Sequence, residues 1–211
     1  MITSTPVLVD GDLDRATYDL LLREASPSGL AFDLETTGLN PITDRIQVIT
    51  IASPKQAVVV ALDHDTCPPQ LGALLNVGSY RKIFHNALFD LSFIRHQWMV
   101  AVAPVFCTKV AARLAGLSRN PHLQDLVESL VGVRLDKAMQ LSDWRERPLS
   151  PAQIDYAIRD VVYLHELATA LETRLQDPER NRLFQACMDF MTARVELELM
   201  DFGDVYAYRL D

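Results

Sequence analysis

Residues 30–62 constrain the fold more than any other part of the sequence. Three runs in this segment are rich in apolar and β-branched residues and therefore predict strands: LAFDLE (30–35), RIQVITIAS (45–53) and AVVVAL (57–62). Turn-forming residues lie in both connections between them, and both connections are short. The segment therefore predicts an antiparallel meander of three strands.

The rest of the chain alternates between short strands and helices and then becomes helical to its end. Short strands are predicted at 82–85 and from 104, and helical periodicity is present over 12–25, 69–77, 87–98, 108–116, 122–132, 150–175 and 178–201. The longest predicted helix, 150–175, begins with Ser150 as N-cap and Pro151 at the first helical position. We find no internal repeat and no long linker. The sequence thus predicts one α/β domain over 1–211, with a helical C-terminal third.

Composition excludes several classes of protein. Hydrophobic residues make up 49% of the chain, enough for a core, but no apolar run reaches the 18 residues of a membrane span. The three cysteines are an odd number without a CxxC pair. They exclude a disulfide scaffold and a cysteine-rich zinc site, and they predict reduced thiols and a cytoplasmic location.

Charge is distributed unevenly along the chain. The net charge is −8, which alone argues against binding of nucleic acid. Residues 81–147, however, hold 10 basic and 6 acidic residues, whereas acids dominate both flanks. This middle segment is either an ordinary solvated surface or the place where a polyanion binds. Its candidate contacts are Arg81, Lys82, Lys109, Arg113, Lys137, Arg145 and Arg147.

Asp33 and Glu35 stand two residues apart in the first predicted strand of the meander. Residues i and i+2 of a strand point to the same side, so the two carboxylates are neighbours in a largely apolar run. Two like charges there are costly unless a cation balances them. The alternative is a strand end whose acids reach solvent.

Two further pairs occur at helical spacing. Asn86 and Asp90 are separated by four residues at the start of a predicted helix, and so are Tyr156 and Asp160 within another. Asn86 also suits an N-cap, and Asp160 also suits a surface acid paired with Arg159 or Arg174.

Taken together, these patterns place four carboxylates on three elements. Ligation by carboxylates alone, without His or Cys, favours Mg²⁺ or Mn²⁺ over Zn²⁺. Two such ions roughly 3.5–4 Å apart can activate water and stabilise the leaving oxygen of a phosphodiester.

Three of these segments resemble the exonuclease motifs of the DEDD superfamily, in its tyrosine subtype: FDLETTGL, FHNALFDL and YAIRDVVYL. The segment LDKAMQLSDWRERPLSPAQIDYAIRDVVYL (135–164) resembles ribonuclease D in particular. The resemblance covers about 30–175, leaving a C-terminal helix and tail at 176–211. It implies a ribonuclease H-like mixed sheet of about five strands flanked by helices.

The resemblance also implies a role for each motif residue. Two ions, Mg²⁺ or Mn²⁺, would be held by Asp33, Glu35, Asp90 and Asp160, and Tyr156 would position the attacking water. We expect the substrate strand to be contacted by Thr36, Leu39, Asn86, Phe89, Lys137 and Arg145.

We therefore expect a 3′-5′ exonuclease that acts on the 3′ end of single-stranded nucleic acid, RNA in the first place, and releases nucleoside 5′-monophosphates. A DNA-directed proofreading nuclease, similar to that of family A DNA polymerases, is the alternative. A binding module with a dead site is disfavoured because all four carboxylates and the tyrosine are intact. The final helix is expected either to close the core or to form a homodimer.

Overall fold

The computed structural model describes residues 5–25, 27–62, 64–135, 139 and 141–207. Its centre is a mixed sheet in the order β1-β4-β3-β2-β5-β6. The strands are β1 (Val7–Asp10), β2 (Leu30–Thr36), β3 (Ile46–Ala52), β4 (Ala57–Ala61), β5 (Lys82–Phe84) and β6 (Val105–Cys107). The pairs β2–β3 and β3–β4 are antiparallel, which confirms the predicted meander.

Helices cover both faces of this sheet, which confirms the predicted α/β fold. In the described part of the chain they are α1 (Arg15–Glu24), α2 (Pro69–Asn76), α3 (Ala87–Trp98), α4 (Thr108–Leu114), α5 (Leu123–Val131), α6 (Pro151–Val162), α7 (Leu164–Arg174) and α8 (Pro178–Leu199). None of these helices is long and apolar enough to cross a membrane.

Two predicted elements need correction. Among the described residues the sheet has six strands rather than about five, because the four residues of β1 pair in parallel with β4 at one edge. The single helix predicted over 150–175 is divided at Tyr163. The two halves differ in their main packing partners: α6 packs on β2, β3 and β4, whereas α7 packs mainly on α4 and α5 and also contacts β5 and β2. A break between them lets each half follow its own packing surface.

Strand β2 lies inside the sheet, between β3 and β5. Leu30, Ala31 and Phe32 are fully buried in the main hydrophobic core. On the side covered by α6, a smaller cluster joins Val48 and Trp144 to Tyr156. The β2 strand is therefore fixed on both sides, and its carboxyl end is a rigid support for side chains.

Candidate active site

The carboxyl end of β2 carries the first two acids. Asp33 and Glu35 are partly buried and lie on one side of the strand, while Leu34 between them is buried on the other. The register with β3 shifts between Glu35 and Thr36, which marks a bulge where the strand ends. The alternative of solvent-exposed acids at a strand end is not what the structure shows.

Helix α3 brings Asp90 to the same end of the sheet. Asp90 is only 4% exposed. The backbone amide of Leu34 in β2 is near enough to the Asp90 carboxylate to lower its pKa, against the larger effect of burial. The acid therefore lies where the first turn of α3 meets the strand that carries Asp33 and Glu35.

Helix α6 provides Tyr156 and Asp160. The helix begins with a capping box in which Ser150 and Gln153 bond reciprocally, and Pro151 follows the cap. The Tyr156 ring packs against Trp144 with ring centroids 6.1 Å apart, and its hydroxyl lies near enough to the Asp160 carboxylate to lower the pKa of that acid.

The alternative partners of Asp160 are engaged elsewhere. Arg159 forms an ion pair with Asp155 at 2.8 Å, and Arg174 donates a hydrogen bond to the Ala170 carbonyl at 3.0 Å. Asp160 therefore faces the other acids rather than a surface arginine.

Strand β2 and helix α6 bring three of the four acids together, and Asp90 of α3 lies outside this group but near enough for its charge to raise the pKa of Asp33. One carboxylate oxygen from each of Asp33, Glu35 and Asp160 lies within 4.8 Å of the others. Burial, followed by the charges of Glu35, Asp90 and Asp160, raises the pKa of Asp33 well above its ordinary range. Such a cluster favours either protonation or a bound cation.

The pKa values of the other acids shift in the same direction. Burial raises the pKa of Asp90 to about 8 and that of Asp160 to about 6. Burial and the charges of Asp160 and Asp90 raise the pKa of Glu35 to about 9. Burial and the neighbouring carboxylates also raise the pKa of the Tyr156 phenol, so its hydroxyl stays a donor at neutral pH.

The chemistry of these groups fits a hard divalent cation. All the candidate ligands are oxygens, as Mg²⁺ and Mn²⁺ prefer. Opposite Asp33 in the sheet, the buried hydroxyl of Thr50 has no hydrogen-bond partner among the described residues. A hydrated ion beside Asp33 would offer this hydroxyl the polar partner that the protein does not.

A cleft of about 200 Å³ lies beside the first turn of α3. Three of the predicted substrate contacts meet there: Leu39, Asn86 and Phe89. Asn86 is the N-cap residue of α3, as the alternative predicts, but its side chain forms no capping hydrogen bond with the helix. The other lining residues are Pro41, Leu88, Ser92 and Glu198.

The loop after β2 presents Leu39 to this cleft. Thr36 donates its hydroxyl hydrogen to the Gly38 carbonyl at 2.6 Å, which closes the turn. A Cβ on Gly38 would lie 2.5–2.8 Å from the Asp44 carboxyl group and would displace this carboxylate, which accepts a hydrogen bond from the Asn40 amide at 2.8 Å. Leu39 is consequently 83% exposed, an unusual position for a leucine.

Sequence reasoning did not identify Glu198 as part of the cleft. It lies near the end of α8, which packs along α3 and brings this carboxylate beside Phe89. Residues more than 100 positions apart meet here, and no local pattern signals such a contact.

The two predicted phosphate contacts are not alike. Arg145 is exposed and forms an ion pair with Asp143 at 2.8 Å, which holds the pKa of Asp143 near 2. Lys137 lies outside the described residues.

Comparison with known sequences identifies relatives along most of this chain. A 3′-5′ exonuclease family profile matches residues 14–176. Ribonuclease D of Nitrobacter hamburgensis is 33% identical over 147 residues, 69% of this chain and 38% of that protein. Ribonuclease D of Zymomonas mobilis is 32% identical over 173 residues, 79% of this chain and 44% of that protein. The chain thus spans about two fifths of the length of these two relatives.

Solved structures agree with these sequence relatives. The structure of Brucella melitensis NrnC with bound Mg²⁺ is 34% identical, with a TM-score of 0.87, over 98% of this chain and 100% of that one. NrnC has also been solved bound to pGG, at 35% identity and the same TM-score over the same coverage. RNase D of Escherichia coli, 22% identical with a TM-score of 0.74 over 91% of this chain and 51% of that one, shares the fold. The chain belongs to the 3′-5′ exonuclease family.

Proposed function

We propose that residues 1–211 form one exonuclease domain that removes nucleoside 5′-monophosphates from the 3′ end of single-stranded nucleic acid. One observation carries this proposal: Asp33, Glu35 and Asp160 place carboxylate oxygens within 4.8 Å of one another. Asp90 and Tyr156 complete the group, and a cleft able to accept a strand end lies beside it.

Two ions, Mg²⁺ or Mn²⁺, are the proposed cofactors, with Asp33, Glu35, Asp90 and Asp160 as ligands. When bound, they supply an activated water and stabilise the charge that develops on the leaving oxygen. The structure of Brucella melitensis NrnC with bound Mg²⁺ supports this choice of ion. Tyr156, whose hydroxyl remains protonated at neutral pH, orients the water.

The proposed substrate contacts surround the cleft. Leu39 and Phe89 provide apolar surface against which the terminal bases stack, and Asn86 offers an amide beside them. Thr36 holds the loop that presents Leu39. Arg145 and Lys137 are assigned to the phosphates.

RNA is the favoured substrate because the Ribonuclease D relatives match most of this chain. The DNA alternative has support of its own, since DNA polymerase I of Aquifex aeolicus is 32% identical over 72% of the chain. The pGG bound to NrnC makes a short guanine oligonucleotide a third substrate to test. A cytoplasmic location and a homodimer through α8 belong to the same proposal.

A direct test uses the full chain and single strands of one sequence, made as RNA and as DNA and labelled at the 5′ end. With Mg²⁺ or Mn²⁺ we expect stepwise shortening and release of 5′-monophosphates, faster for RNA, and none in EDTA. A 3′-phosphate should block the reaction, and Asp33→Asn should abolish it. Cleavage of a circular single strand at a comparable rate would contradict the proposed polarity.

A further inference from the structure

Acidic residues are absent from one long stretch beside the site. Residues 91–124 contain no Asp or Glu, although the chain has 28 of them. The basic residues of this stretch are Arg95, Lys109, Arg113 and Arg119. An acidic protein therefore contains one long stretch of sequence that carries cationic side chains and no carboxylate side chain.

Several cations of the basic middle segment are bound within the fold. Arg81 pairs with Glu172, and Arg95 pairs with Glu196 at 2.6 Å. Each of these two ion pairs joins an arginine to a glutamate of a packed C-terminal helix. These side chains stabilise the fold and have a partner already.

Two other cations are bound by backbone carbonyls. Lys82 is fully buried, and its ammonium donates hydrogen bonds to the Val77 and Ala103 carbonyls. Arg147 donates to the carbonyls of Gln47 and Leu62 at 2.9 and 2.7 Å. Neither side chain is available to a ligand.

Lys109, Arg113 and Arg119 differ from these four. None of the three forms an ion pair with a residue that the structure describes. Lys109 and Arg113 are four residues apart on α4 and share one helix face. Arg113 donates from its Nε to the Arg119 carbonyl at 2.8 Å, whereas its two terminal nitrogens, unlike those of Arg147, form no hydrogen bond with a described residue. We call these three residues the α4 surface.

The strand register places the α4 surface at the catalytic edge of the sheet. Ala31, Ile83 and Phe106 are aligned across β2, β5 and β6. Two residues further along each chain come Asp33, His85 and Thr108, and the last two are joined by a hydrogen bond of 2.9 Å.

Lys109 follows Thr108 directly, at the start of α4. It therefore lies two strand spacings, on the order of 10 Å, from the strand that carries Asp33. Its charge acts, after burial, to lower the pKa of His85, so its ammonium is near the carboxyl end of β5.

We propose that Lys109, Arg113 and Arg119 bind backbone phosphates of the substrate strand upstream of its 3′-terminal nucleotide. This inference rests on the proposed exonuclease function and adds the path by which the strand leaves the site. Cations without an ion-pair partner bind phosphates at the least cost, and Lys109 lies on the order of 10 Å from the strand that carries Asp33, with Arg113 one helical turn further along α4. The contacts are to the backbone and therefore carry no sequence preference.

The test compares Lys109→Gln, Arg113→Gln, Arg119→Gln and the triple variant with Arg23→Gln. Arg23 is a matched control because it is an exposed arginine on α1, near the opposite end of β2. Binding of a labelled ten-nucleotide single strand is measured by fluorescence anisotropy across a salt series. The Asp33→Asn background prevents hydrolysis, and melting curves verify that each variant is folded.

We expect the triple variant to bind roughly tenfold or more weakly and to lose about 2 units of salt slope, about 0.7 for each phosphate contact. In the active protein, the triple variant should lower kcat/KM by raising KM. This effect should increase as the oligonucleotide is lengthened from two to ten nucleotides. Arg23→Gln should bind like the parent protein.

Unchanged affinity and slope in the triple variant would overturn the inference. If the α4 surface binds an acidic protein rather than the substrate strand, the triple variant will likewise show unchanged affinity for the oligonucleotide and an unchanged salt slope. The anisotropy experiment does not require hydrolysis, so failure of the α4 surface is distinguishable from failure of the proposed exonuclease activity.

Discussion

Tyr156 and Asp160 lie one helical turn apart on α6, and the Tyr156 hydroxyl is near enough to the Asp160 carboxylate to lower its pKa. The hydroxyl thus favours the charged form of Asp160 and opposes the larger effect of burial. The Tyr156 ring itself is held by Trp144. The ring and the hydroxyl of Tyr156 therefore have separate partners. A substitution can remove the hydroxyl and leave the packing of the ring intact.

Removal of the Tyr156 hydroxyl alone should lower the rate of hydrolysis but leave metal binding by the carboxylates intact. We expect Tyr156→Phe to lose roughly 10²–10⁴-fold in rate, the usual scale for a positioned catalytic side chain, while Mg²⁺ still raises the melting temperature. Asp160→Asn should lose more activity and the metal-dependent stabilisation with it. Rates and melting curves measure both effects. Tyr163→Phe, just beyond the end of α6, is the control, and a fully active Tyr156→Phe would show that the hydroxyl has no role.

Removal of one acid should stabilise the metal-free protein while destroying its response to metal. Asp33→Asn relieves repulsion with three carboxylates, so its melting temperature in EDTA should rise by a few degrees, since about 1 kcal/mol corresponds to about 2–4 °C at this size. Added Mg²⁺ or Mn²⁺ should then have little effect. Asp155→Asn is the matched control, because Asp155 lies on α6 but pairs with Arg159. Full metal stabilisation of Asp33→Asn would show that Asp33 is not a ligand.

The same cluster predicts how stability depends on pH. The pKa values of Asp160, Asp90 and Glu35 in the folded protein are raised to about 6, 8 and 9. Between the ordinary pKa of each carboxyl group and its raised pKa in the folded protein, the folded state holds a proton that the unfolded state has already lost. The free energy of unfolding in EDTA should therefore fall as pH rises through these folded-state values.

Denaturant titrations in EDTA between pH 7 and 7.5 measure this dependence where His85, His165 and Lys82 contribute least. The pKa values of His85 and His165 are lowered by burial, so these groups contribute below this window, and Lys82 contributes above it. Mg²⁺ should reduce the slope, because the ion binds the deprotonated acids. A stability that rises with pH across this window in EDTA would contradict the proposed electrostatics.

Much of this site could be predicted from local sequence patterns. The i, i+2 spacing in β2 and the i, i+4 spacing in α6 fix which side chains are neighbours, and Asp33 and Asp160 follow from them. The meander of β2, β3 and β4 is equally local, because β-branched runs and short connections determine it.

Long-range packing determines what local patterns do not predict. The four residues of β1 are a strand only because β4 offers a free edge. The helix break at Tyr163 is not marked by Pro or Gly in the sequence. It follows from the different main packing partners of α6 and α7. Likewise, whether Lys82 or Lys109 is free depends on which carbonyls lie nearby, which the sequence does not display.

The proposed homodimer depends on apolar residues of α8 that remain exposed. Leu183 and Phe190 are 40% and 37% exposed, and seven residues of helix place them on one face. Sedimentation velocity should give a dimer for the parent chain and a monomer for Phe190→Glu. Gln185→Glu, on the opposite side of the helix from Leu183, should stay dimeric. A monomeric parent chain at micromolar concentration would exclude this interface.

A substitution of Leu39 should weaken substrate binding without changing the stability of the fold. Its side chain is 83% exposed, so Leu39→Ala should change the free energy of unfolding by less than about 0.5 kcal/mol. Loss of its contact with the terminal base should raise KM for a single strand roughly 10-fold or more, the usual effect of removing apolar contact in a binding site. Ile42→Ala is the control, because Ile42 is an exposed residue of the same loop that does not line the cleft. Equal KM values for Leu39→Ala and Ile42→Ala would mean that Leu39 does not contact the substrate.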